Sequence, residues 1–138
     1  PHPDFLIDFA TLTGAARVAM GTECPALFCN QQETATALMR AGEALHDPIW
    51  QLPLFESYDR FLDTGQAGLS STGSGSGYGG AITAALFLRR FTGRDVNWAH
   101  VDVMAWNISS RVGRPKGGEA MGLRATFHHI SELADTTT

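Results

Sequence analysis

Cysteine is scarce, with Cys24 and Cys29 the only two in 138 residues. A chain of this length folds without covalent staples, so the pair reads as reduced thiols and not as a disulfide framework. As metal ligands they would need two further donors, which neighbouring residues do not offer. Charge is thin as well: 17% of residues, net −4, with bases scattered apart from Arg89-Arg90 and the Arg111 to Lys116 stretch. That pattern argues against nucleic acid as a partner. No apolar run approaches the ~20 residues that cross a bilayer, and the N-terminus lacks the charged-then-apolar order of a signal peptide. A cytoplasmic protein with no membrane partner is expected. There is no H-E-x-x-H helix and no P-loop, and no G-x-S-x-G surrounds Ser74 or Ser76. An initiator Met is missing too: the chain opens Pro1-His2-Pro3-Asp4 and enters an apolar stretch at once. This suggests the later part of a longer protein.

What is present is the composition of one α/β domain, with 43% hydrophobic residues to supply a core. Phe5 to Ala10 reads as a strand covered on both faces, because its apolar residues lack alternating polar partners. It delivers Thr11-Leu12-Thr13-Gly14 beyond a strand's carboxyl end, where α/β sheets bind ligands. Gly14 is expected to permit a sharp turn and close approach of a ligand to the main chain. A helical turn follows to Met20, stopped by Gly21, and Pro25 to Cys29 is a second strand. Asn30 and Glu33 have capping-box spacing for a helix from Gln31 to Leu45, with Ala35, Leu38, Ala41 and Leu45 on one face and Pro48 barring continuation.

Ile49 to Leu54 is extended, and Phe55 to Leu62 is a short helix with Phe55, Tyr58, Phe61 and Leu62 inward. Thr64 to Gly80 is a long glycine-serine loop. Ala81 to Phe91 is a buried helix, Trp98 to Ala105 a strand, and Glu119 to about Leu133 a closing helix packed through Met121, Leu123, Phe127 and Ile130. The strand and helix rhythm indicates a parallel or mostly parallel sheet.

Within the loop, Gly75 to Gly80 matches G-x-G-x-x-G and runs into a helix. A dinucleotide site would also need a preceding strand, which Asp63 to Leu69 makes poorly, and a later acid such as Asp102. Asp8 and Asp102 each interrupt an apolar strand, and a buried carboxylate needs donors. Both are expected to accept hydrogen bonds from neighbouring loops. His128 and His129 are adjacent on a helix and diverge, so they do not chelate one ion from one face. Arg114 to Glu119 has the make-up of an anion site beside a helix start, or of a solvated loop.

Three stretches, in order, resemble the leucyl (cytosol) aminopeptidase family. They are Asp8 to Ala15 (DFATLTGA), Gly79 to Leu88 (GGAITAALFL) and Trp98 to Asp102 (WAHVD); Gly113-Arg114-Pro115 and Gly117 to Leu123 fit the family's ending. The resemblance spans nearly the whole chain. It implies the C-terminal portion, residues 1–138, of an α/β catalytic domain with a mostly parallel mixed sheet flanked by helices. The activity implied is that of a two-metal exopeptidase releasing N-terminal residues from peptides, with two divalent ions, zinc or manganese, and a hexameric assembly.

The family's metal ligands and catalytic Lys and Arg lie upstream, in and near an N-T-D-A-E-G-R signature absent from these residues. The chain is therefore expected to contribute no catalytic or metal-binding residue and to be inactive alone. What the resemblance carries over is a substrate-facing wall. Leu12 offers its carbonyl and Gly14 its N–H to the substrate backbone, and Thr11 borders the pocket for the N-terminal side chain. Met104, Ala105 and Asn107 border the same pocket. Where the family has an Ala-Asp pair followed by Asn, this chain has Ala67-Gly68-Leu69-Ser70-Ser71, which implies a mobile Thr64 to Tyr78 segment. The rival readings are a non-enzymatic binding or assembly module and, more remotely, a dinucleotide-binding domain.

Overall fold

The computed structural model describes residues 3–63, 68–71, 77–93 and 95–136. Four strands, β1 (Phe5–Ala10), β2 (Ala26–Cys29), β3 (Trp50–Gln51) and β4 (Asn97–Asp102), form one sheet in the order β1-β4-β2-β3. β1 runs parallel to β4 and β2 parallel to β3, while β2 and β4 are antiparallel. The sheet is thus mixed and mostly parallel. Four helices accompany it: α1 (Gly14–Met20), α2 (Gln32–Ala44), α3 (Gly80–Arg89) and α4 (Leu123–Thr136). A 3₁₀ helix spans Glu56–Phe61, and β5 (Trp106–Asn107) pairs antiparallel with β6 (Gly117–Gly118).

Alternation along the strands sorts the core into two layers. Leu27, Ala99 and Val101 face α2 and α4, where they meet Leu38, Ala41 and Ala125. Ala26 and Phe28 face the other way, onto Ala16 of α1 and Ala81 and Ala85 of α3. On this second face β4 presents Trp98, His100 and Asp102 in alternation, and Asp8 and Ala10 of β1 stand opposite His100 and Asp102. Parallel pairing of β1 with β4 therefore brings both strand acids to one layer, at successive depths.

Several elements depart from expectation for identifiable reasons. β1 is an edge strand whose second edge no described strand pairs, and it is not covered on both faces: Leu6 and Phe9 are 37% and 43% exposed. Asn30 does not cap α2. Its amide donates to the Val96 carbonyl and its Oδ1 accepts from the Trp98 N–H, both at 2.8 Å. Gln31 holds the N-cap position without a side-chain bond, because two long-range bonds to β4 outweigh a local cap. Leu45 lies just past α2 and is exposed.

Phe55 to Leu62 tightens into the 3₁₀ form. Leu62 is fully buried, Phe55 is exposed, and an aromatic row of Phe55, Tyr58 and Phe61 lies between. Gly79, at φ +66°, backs onto Tyr58: a Cβ there would come within 2.9 Å of the ring. Glycine is obligatory at that contact. The expected mobility of Thr64 to Tyr78 falls largely outside the described residues.

The closing helix begins at Leu123 and not at Glu119, because Gly117–Gly118 is taken into the β5-β6 pair. Asp47, only 2% exposed, sits across its start and accepts from the N–H groups of Gly122 (2.9 Å), Arg124 (2.7 Å) and Ala125 (3.4 Å). This is a helix cap delivered from 75 residues upstream. The helix also packs on a different face from that expected. Ala125, Thr126 and His129 are buried, whereas Leu123, Phe127 and Ile130 are exposed. Small Ala125 lets the helix approach α2, and the His129 ring meets Phe5 edge-on at 5.4 Å. Burial lowers the His129 pKa, opposed by nearby Glu132.

Candidate substrate-binding site

The site is built where β1 and β4 end together. Their last paired residues are Ala10 and Asp102, after which the Val103 N–H donates to the Ala10 carbonyl at 3.0 Å. Asp102 is buried at 4% exposure and is directed at the Thr11-Leu12-Thr13 turn. One carboxylate oxygen accepts from the N–H groups of Leu12 (3.1 Å) and Thr13 (3.3 Å), and the other from the Thr13 hydroxyl (2.7 Å). Thr13 Oγ1 in turn accepts from the Ala16 N–H at 3.0 Å, capping α1. Strand, loop and helix are thereby joined through a single side chain.

This clamp leaves the other side of the loop presented outward. Thr11, Leu12 and Gly14 are exposed. Among the described residues no hydrogen bond engages the Leu12 carbonyl or the Gly14 N–H. Gly14 is the first residue of α1, with no left-handed φ, and an added Cβ would make only an ordinary contact at 3.6 Å with Arg17 Nη2. The expected sharp turn at Gly14 is therefore corrected: its backbone is one that alanine adopts. What the missing side chain provides is an open main chain.

The segment after β4 forms the neighbouring border. Met104 is half-buried against the α2/α4 layer, and Arg17 Nη1 lies 3.4 Å from its sulfur. Ala105 adopts φ 52°, uncommon for a residue with a Cβ, and its carbonyl accepts from the Glu119 N–H at 3.1 Å. Asn107 is placed differently. It is buried, its amide donates to the carbonyls of Arg114 (2.8 Å) and Pro115 (2.9 Å), and its oxygen accepts from Arg111. Its side chain secures the turn that follows β5.

The remaining candidates resolve into internal bonding. Asp8 accepts from Trp98 Nε1 at 2.8 Å and lies 2.5 Å from His100 Nδ1, so its partners are side chains of β4 and not a loop. Arg114 pairs with Glu119 at 2.8 Å and donates to the His46 carbonyl, and Arg111 pairs with Glu23, so both arginines of this region are engaged within the fold. Asp102, the acid a dinucleotide site would require, is committed to the loop. Among the described residues no group of three or more His, Cys, Asp or Glu could hold a metal ion. With Asp8 and Asp102 both engaged, the residues present do not fit a metal pair.

Sequence reasoning missed three contributors: the cap from Asp47, the Asp8–His100 pair and Arg17. Asp47 follows a helix and precedes Pro48, which marks an end but not a long-range partner. The pairing of Asp8 with His100 depends on a strand register that sequence alone does not supply.

The sequence profile described as the cytosol aminopeptidase family, catalytic domain, matches residues 1–127. The chain belongs to the cytosol aminopeptidase family. It is 44% identical over 125 residues to a probable cytosol aminopeptidase of Syntrophotalea carbinolica, covering 89% of this chain and 24% of that protein. It is 37% identical over 133 residues to the cytosol aminopeptidase of Rickettsia prowazekii, covering 95% and 27%. Among solved structures, the cytosol aminopeptidase of Coxiella burnetii superposes with a TM-score of 0.87 at 50% identity, covering 94% of this chain and 28% of that one. The bottromycin maturation enzyme BotP superposes with a TM-score of 0.89 at 33% identity, covering 98% and 30%. The chain thus spans about a quarter of the length of the cytosol aminopeptidases it matches.

Within this family of metalloaminopeptidases the fold seen here is that of the catalytic domain. No helix among the described residues is long and apolar enough to cross a membrane.

Proposed function

We propose that this chain is the substrate-binding wall, the C-terminal portion, of a catalytic domain that releases N-terminal amino acids from peptides. The observation carrying this reading is the Asp102 clamp, which fixes the turn at the carboxyl end of the parallel pair while the Leu12 carbonyl and Gly14 N–H, on exposed residues, have no hydrogen-bond partner among the described residues. A carbonyl and an N–H two residues apart match the acceptor and donor of an extended peptide main chain. They would bind any N-terminal residue's backbone without reading its side chain. Thr11, Met104 and Ala105 border the space where that side chain would lie, and Asn107 holds the turn behind it.

Two divalent ions, zinc or manganese, belong to this proposal, held by residues other than those of this chain. BotP has been solved in complex with Mn, which favours manganese as the first metal to supply. A cytoplasmic hexamer acting on peptides is the assembly proposed for the complete protein.

Gly14 is the sharpest probe, because the fold tolerates a Cβ there and the bound main chain would not. In the complete polypeptide, Gly14→Ala should leave the melting temperature unchanged or slightly higher, since alanine stabilises a helix relative to glycine by about 0.5–1 kcal/mol. The same change should lower kcat/KM for leucyl peptides, and Gly14→Val should lower it by about tenfold or more as the substrate backbone is displaced. Unimpaired turnover by the valine variant would sink the assignment of this loop to the substrate.

A further inference from the structure

Arg89, Arg90, Arg111, Arg114 and Arg124 each lie within ion-pairing distance of a carboxylate, those of Glu56, Asp59, Glu23, Glu119 and Asp47 respectively. Three arginines among the described residues, Arg17, Arg40 and Arg60, have no carboxylate within ion-pairing distance, and the residues outside the described set carry no Asp or Glu side chain. Arg17 is the one whose guanidinium touches the borders of the proposed site. Nearby Asp102 is committed to Leu12 and Thr13. The residue is exposed, yet its guanidinium folds back over the site. Nη1 rests 3.4 Å from the Met104 sulfur, and Nη2 lies 3.6 Å from where a Gly14 Cβ would be. It therefore spans the two borders of the proposed site, over the residue that would donate to the peptide carbonyl.

Resting on the proposed aminopeptidase reading, we infer that Arg17 receives a carboxylate of the bound peptide and biases the enzyme toward substrates that carry one there. A guanidinium is planar and always charged, and it binds a carboxylate in a bidentate fork that lysine does not reproduce. Its stem is carried by α1, whose start is fixed by Thr13 and Asp102, so the charge is held at a set distance from the Gly14 N–H. The carboxylate has two possible sources, an acidic side chain on the N-terminal residue or the free C-terminus of a dipeptide.

The test uses the complete polypeptide with manganese and four substrates: glutamyl-leucine amide, leucyl-leucine amide, leucyl-leucine and lysyl-leucine amide. If the side chain is the source, Arg17→Gln lowers the glutamyl-to-leucyl ratio of kcat/KM for the amides by about tenfold, mainly through KM, and Arg17→Glu shifts preference toward the lysyl amide. If the terminal carboxylate is the source, the ratio of leucyl-leucine to its amide falls instead. Arg17→Lys restores only part of either ratio. Turnover of leucyl-leucine amide with all ratios unchanged within twofold overturns this inference alone. A complete polypeptide that hydrolyses none of the four overturns the aminopeptidase reading and this inference with it.

Discussion

Asp102→Ala in the complete polypeptide should lower kcat/KM for leucyl peptides by about a hundredfold or more. Three donors converge on that carboxylate, and removing it leaves the Leu12 and Thr13 N–H groups without their acceptor in a partly buried turn. Each unsatisfied group costs about 1–3 kcal/mol, so the turn rearranges to find new partners instead of holding its place. Because the Leu12 carbonyl and Gly14 N–H are rigidly linked to those groups, they move with it. A displacement of about 1 Å in a positioning element is enough for a loss on the order of a hundredfold. Asp102→Asn is gentler. Its remaining oxygen can still accept from the two backbone N–H groups and its amide can donate to the Thr13 hydroxyl oxygen, but the hydroxyl proton then loses the acceptor it has in the aspartate. Peptide kinetics of both variants, with melting curves to show that they fold, decide the matter. Activity of the alanine variant within threefold of the parent would remove Asp102 from the site.

Asp47→Ala is expected to be the most damaging change to stability, by about 2–4 kcal/mol. An ordinary N-cap contributes about 0.5–2 kcal/mol, and Asp47 exceeds that role because it is buried and serves three N–H groups of a helix start that packs into the core. Without it, buried donors at Gly122 and Ala125 lose their partner. Arg124 also loses the carboxylate 4.0 Å away, a minor contribution for an exposed arginine. Asp47→Asn keeps an acceptor and should cost about half as much. Urea unfolding measures both, and an alanine variant within 0.5 kcal/mol of the parent on that roughly additive scale would refute the cap.

The parts of the fold that sequence reveals are those governed by local pattern. Phe5 to Ala10 and Pro25 to Cys29 are legible as strands because they are short apolar runs, the strand expected from Trp98 to Ala105 is found at Asn97–Asp102, and α1 and α3 lie within a residue or two of expectation. The TLTG turn was legible for the same reason, as small and hydroxyl residues follow an apolar strand. What was not legible depends on partners distant in sequence. Asn30 looks like a cap until β4 arrives beside it. Asp47 looks like a helix end until α4 docks across it. The apolar residues Leu123, Phe127 and Ile130 suggest the packed face of α4, yet Ala125, Thr126 and His129 are the buried ones and small Ala125 packs with Leu38 and Ala41 of α2; residue size, which pattern ignores, allows that close approach. Gly14 shows the converse. Glycine suggests backbone strain, whereas the backbone there is helical and its smallness faces outward.

The most direct measurement is hydrolysis of a leucine anilide by this chain alone and by the complete polypeptide, side by side, each with added zinc or manganese. Circular dichroism on the same samples confirms that both are folded. Turnover is expected from the complete polypeptide only, because the proposed wall of Thr11, Leu12 and Gly14 would bind the peptide while no group of three or more His, Cys, Asp or Glu among the described residues could hold a metal ion. Clear turnover by the chain alone would contradict this division of labour.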